Sequence, residues 1–104
     1  MSSDELRAYA EEVFRQQNRV TTRLMMAPLD SPSIGEDDRR RIEQAETLMN
    51  NACASLNEIA SARTSGEEVD RKLENTVRKQ VRTCARETGR LEDLLDALDI
   101  GREH

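Results

Sequence analysis

The chain has no tryptophan, one tyrosine and one phenylalanine in 104 residues. Aromatic side chains supply much of the buried area of β-rich cores and the flat faces on which single-stranded bases stack. With so few of them, and with only four glycines and two prolines, the composition excludes a collagen-like chain and argues against a sandwich or barrel. Histidine occurs once, at the terminal residue His104, where fraying is expected. The two cysteines, Cys53 and Cys84, have no histidine nearby in sequence to activate them. No Cys or His cluster has metal-ligand spacing, no glycine-rich loop follows a strand, and no Glu-x-x-His marks a di-carboxylate site. The chain therefore reads as a non-enzyme with no cofactor and no metal. It also lacks any apolar run near the ~20 residues needed to cross a bilayer. Met1 to Glu12 is polar and acidic, without the apolar core of a secretory signal. The expectation is a cytoplasmic protein that does not enter membranes.

Charge and helical periodicity are abundant. Charged residues make up 36% of the chain and the net charge is −5. The length suits one helical domain over residues 1–104. The strongest pattern runs from Val69 to Ile100. At ~100° per residue, Val69, Leu73, Val77, Val81, Cys84, Leu91, Leu95 and Leu98 share one face of a helix. Arg71, Lys72, Arg78, Lys79, Arg82, Arg86 and Arg90 share the opposite face. The two arcs do not overlap.

Three Ser-x-x-Glu sequences suggest helix starts: Ser2 with Glu5, Ser33 with Glu36, and Ser65 with Glu68. With the apolar stripes they predict helices over about residues 3–26, 36–64 and 67–100. The first buries Leu6, Ala10, Val13, Val20 and Leu24, with Gln17 polar in the seam. A loop follows at Ala27–Gly35, where two prolines, two serines and a glycine cluster. Its approach is apolar: Met25, Met26 and Leu29 either fold back over the end of the bundle or form an adaptable contact surface. The second helix carries a heptad seam of Ile42, Ala45, Met49, Ala52, Leu56 and Ile59, widened by Leu48, Cys53 and Ala60. A tight turn at Thr64–Gly66 makes the second and third helices antiparallel neighbours, and Gly101 is placed to cap the third. With that turn, Cys53 falls opposite Lys79, ~7 Å along the axis from Cys84. The cysteines are then expected to be free, small buried hydrophobes, unless the turn is longer.

The expected architecture is all-α: a long antiparallel hairpin of the second and third helices with the first laid along it. Leu, Ile, Val and Phe together number twenty, a thin supply for three long helices. A second copy is the natural source of further burial, so a homodimer is expected, with Ile42, Met49, Leu56 and Ile59 as core or dimer seam.

For function, the basic face of the third helix (Arg71, Arg78, Lys79, Arg82, Arg86, Arg90) is the most specific polar feature. The bland reading is a solvated face. The sharper one is a docking surface for an acidic protein. A phosphate backbone is disfavoured by the acidic remainder of the chain. The segment Leu91–Ile100 places Glu92, Asp93, Asp96 and Asp99 near a helix C-terminus, against the helix dipole, which suggests pairing with a partner or a second copy. The reading is a small regulatory protein that binds another protein through helical surfaces, sequestering, inhibiting or chaperoning it. The alternatives are a nucleic-acid-associated protein and a structural assembly subunit.

Overall fold

A computed structural model describes residues 2–27 and 29–100. Four helices account for most of them: α1 (Ser3–Met26), α2 (Glu36–Ala52), α3 (Ala54–Thr64) and α4 (Arg71–Ala97). No strand occurs among the described residues. The molecule is elongated, 47 × 23 × 22 Å.

The count of helices differs from the sequence expectation. The helix expected over 36–64 is interrupted at Cys53, whose φ of −96° and ψ of 2° leave the helical region. The break is slight. Cys53 N–H still donates to the Met49 carbonyl, and Asn57 N–H to the Cys53 carbonyl. The seam therefore keeps its phase across the break, and Ile42, Met49, Leu56 and Ile59 all face the core.

One of the three expected capping boxes forms. Glu5 N–H donates to the Ser2 hydroxyl, and Ser2 N–H donates to the Glu5 carboxylate. The Ser2 hydroxyl and amide hold the Glu5 carboxyl below its ordinary value, so this contact is kept above the carboxylate range and lost as pH falls through it. At α2 the cap is Gly35, with no side-chain bond. Ser33 N–H instead donates to Ser31 Oγ within the loop. At α4 the cap is Asp70, whose carboxylate accepts from Leu73 N–H at 2.7 Å. Ser65 and Gly66 end α3 rather than start α4. Gly66 has φ 73°, Gly66 N–H donates to Arg63 and Glu67 N–H to Ala62, a Schellman motif that favours glycine at its left-handed position. Glu67–Asp70 is thus a non-helical link, and the turn is longer than three residues.

The end of α4 uses the same motif without glycine. Asp99 is left-handed at φ 55°, its N–H donates to Asp96, and Ile100 N–H donates to Leu95. Buried Leu95 and Ile100 supply the apolar contact that accompanies such caps. The expected cap, Gly101, and the expected frayed His104 lie outside the described residues.

α4 is the central element: α1, α2 and α3 all pack against it, while the Cα traces of α1 and α2 stay more than 8 Å apart. α1 runs parallel to α4. Arg23 near its end reaches Asp96 and Ile100, whereas Leu6 and Ala10 near its start share a hollow with Val69 and Val77. α2 and α3 run antiparallel to α4.

Candidate functional surface

The inner face of α4 is locked to α2 and α3. Cys53 and Cys84 form a disulfide with Cα atoms 4.7 Å apart, overturning the expected free thiols. The physical reason is register. The Glu67–Asp70 link moves the centre of the hairpin toward the C-terminus, so Cys53 meets Cys84 instead of Lys79. Both cysteines are fully buried, and Thr88 Oγ1 lies 3.6 Å from Cys53 Sγ. Two residues after Cys53, Ser55 donates to Gln80 Oε1 at 2.8 Å, one turn of α4 before Cys84. Ile42, Met49, Leu56 and Ile59 are 1–4% exposed within a single chain. The dimer contact expected on these side chains has no free surface there, because intrachain packing already uses it.

The open end of α4 is closed by Arg23. Its Nε donates to the Ile100 carbonyl and its Nη1 to Asp96, each at 2.7 Å. Its Nη2 is buried without a partner among the described residues. This clamp offsets one of the acids that oppose the α4 dipole. Arg23 belongs to the Arg15, Arg19, Arg23 stripe of α1, and nothing in that spacing singles it out. A second arginine, Arg39, holds the 27–35 loop by donating to the Leu29 carbonyl. Leu29 is half-buried against the core. Met25 and Met26 are 81% and 78% exposed on the last turn of α1, so they do not fold back over the bundle end. Leu48, expected to widen the α2 seam, is 54% exposed.

The hollows of the surface carry little chemistry, including one of about 460 Å³ on α2 beside Leu48. The end of the bundle beneath the 67–70 link holds one of about 220 Å³, with Arg7, Arg63 and Glu74 around an apolar floor. A furrow between α1 and α3 centres on Phe14 and Ala60. Among the described residues no group of three His, Cys, Asp or Glu could hold a metal ion, and no helix is long and apolar enough to cross a membrane.

The outer face of α4 differs in kind. Arg71, Lys72, Arg78, Lys79, Arg82, Arg86 and Arg90 are all exposed. Arg86 and Arg90 both pair with Glu87 at 3.3 Å, and Arg78 is engaged within the chain. Glu87 itself is buried, its side chain only 9% exposed, and the sequence pattern did not mark it as different from other acids. Among the described residues no ion pair reaches Arg71, Lys72, Lys79 or Arg82. Comparison with protein-family models, with curated proteins and with solved structures finds no match to this chain. The surface is therefore read from its own chemistry.

Proposed function

We propose that this chain is a small non-enzymatic helical protein that acts by binding another protein, and that the outer face of α4 is its docking surface for an acidic partner. The observation that carries this reading is the row Arg71, Lys72, Lys79 and Arg82: exposed cations on a helix whose opposite side is held by a disulfide and by core packing. Like charges three or four residues apart, as in Lys79 with Arg82, destabilise a helix. Among the described residues no ion pair to Lys79 or Arg82 offsets that cost. Arginine presents a planar fork that matches a carboxylate, and lysine a compact charge.

The disulfide bears on the setting. Such bonds persist in oxidising compartments and are rare in a reducing cytoplasm. It favours an extracytoplasmic partner over the cytoplasmic one expected from the sequence.

The test is fluorescence anisotropy of two labelled probes, a polyglutamate peptide and a DNA duplex, titrated with the oxidised protein. The wild type is expected to bind polyglutamate, and Arg71→Gln/Lys79→Gln/Arg82→Gln to lose about tenfold in affinity, since each exposed charge contributes ~0.2–1 kcal/mol. Equal binding by both proteins would overturn the docking surface. Tighter binding of the duplex with a steep salt slope would favour the nucleic-acid reading instead.

A further inference from the structure

The outer face of α4 contains a second line of heptad spacing. Arg82, Arg86, Gly89, Asp93 and Asp96 follow one another at steps of four, three, four and three, within an arc of ~80°. The line changes sign at its midpoint: two arginines precede Gly89 and two aspartates follow it. Gly89 is part-exposed, and a Cβ added there would meet nothing within 4 Å. No contact among the described residues requires a glycine at this position. The helix nevertheless accepts the known disadvantage of glycine in its interior.

Resting on the reading of this face as a docking surface, we infer that its occupant is a second copy of the chain, laid antiparallel along α4 with the two-fold axis at Gly89. In that arrangement Arg82, seven residues before Gly89, lies opposite the second copy's Asp96, seven residues after it. Arg86, three before, lies opposite Asp93, four after. The symmetry repeats both pairs, giving four cross-contacts of opposite sign. Arg82 and Asp93 have no ion pair among the described residues, so both are available, and Arg86, though its Nε pairs with Glu87, keeps a side chain 59% exposed. Asp96 already accepts from Arg23, yet its side chain is 49% exposed, and a carboxylate accepts several donors. The missing Cβ at Gly89 lets the two backbones approach at the crossing point. The same geometry accounts for two of the acids placed unfavourably at the C-terminal end of α4: Asp93 and Asp96 face the cations of the second copy. Exposed ion pairs are individually weak, so the association is weak and sensitive to salt. It also covers Arg82, so self-association and binding of an acidic partner compete.

Sedimentation velocity of the oxidised protein, at concentrations up to about 1 mM and in about 20 mM or about 500 mM salt, reads this directly. Dimer is expected at low salt, with at least a tenfold loss of association at high salt. Arg86→Glu and Asp93→Lys should each weaken it, and the double variant should restore it, because the pairs re-form with reversed sign. Gly89→Ala should raise the melting temperature of the monomer while weakening the dimer, a combination that a purely intrachain role does not produce. Gly89→Leu should abolish association while far-UV circular dichroism stays helical. A monomer at every concentration in low salt, a dimer indifferent to Gly89→Leu, or a charge-swapped pair that fails to recover would each overturn the inference. A monomer that still binds polyglutamate would leave the docking surface standing with another occupant. A dimer that does not bind polyglutamate would do the reverse.

Discussion

The two sides of α4 are built to different rules. On the inner side, Val77, Val81, Cys84, Thr88, Leu91 and Leu95 are no more than 2% exposed, and each has a fixed neighbour on another helix or in the chain's core. On the outer side, seven cations stand in solvent and the helix interior contains a glycine. The inner side is overdetermined by packing and a disulfide. On the outer side Arg71, Lys72, Lys79 and Arg82 take part in no ion pair among the described residues, which fits the role in recognition proposed above.

The sharpest way to test this contrast is to remove the disulfide. It closes a loop with a sequence separation of 31. In the chain-entropy account a bridge of that span contributes about 4 kcal/mol. For a chain this small, reduction should lower the melting temperature by roughly 15–30 °C. Freshly purified, non-reduced protein should also be lighter by two hydrogens than reduced protein. Equal masses would mean free thiols and would return the thin core to the state in which a second copy has to supply burial.

Core packing should come next. Leu91 is fully buried on the inner face, and Leu91→Ala should cost about 3 kcal/mol in urea unfolding, the transfer loss plus the cavity. Arg23→Ala should cost about 2 kcal/mol, because it leaves the Ile100 carbonyl without its donor and Asp96 unpaired beside the helix terminus. Arg23→Lys should not rescue it, since one ammonium does not reproduce the two bonds that Nε and Nη1 make to separate acceptors. If Arg23→Ala unfolds at the wild-type urea midpoint, the end of α4 is held by packing alone.

The division between faces was legible before the structure, and the register was not. The apolar and basic arcs of α4 follow from a 3.6-residue period, which depends on local geometry alone. Where α4 begins depends on which of several polar residues caps it. Ser65–Glu68 and Asp70 are both plausible caps in sequence. Asp70 wins because Gly66 adopts the left-handed conformation that terminates α3. The resulting link moves Cys84 opposite Cys53, and the disulfide follows from a few residues of turn that no periodicity encodes. The break at Cys53 has no signal either: no proline or glycine is present, and the heptad passes through it in phase. The same limit applies to Ile42, Met49, Leu56 and Ile59. Periodicity shows that they share a face, but not whether another helix of the same chain or a second molecule covers it. On the candidate surface, the cations were visible in sequence. The neutralisation of Arg86 and Arg90 by the buried Glu87 was not, because it depends on where a side chain lies rather than on spacing.

The smallest effect belongs to the outer face and completes the contrast. Arg82 is exposed and has no ion pair among the described residues. Replacing it by alanine removes one cation from a row of like charges, which relieves local repulsion. Alanine also has a slightly higher helix propensity than arginine. Against these gains stands the loss of whatever apolar surface the long Arg82 stem covers along the helix. The terms are small and opposed, so Arg82→Ala should change the unfolding free energy of the monomer by no more than about 0.5 kcal/mol, the range of a surface substitution away from special features. Thermal melts at low protein concentration and moderate salt measure this without interference from association. A loss above about 1.5 kcal/mol would mean that Arg82 is engaged within the chain, and the outer face would then be part of the scaffold rather than a surface left for a partner.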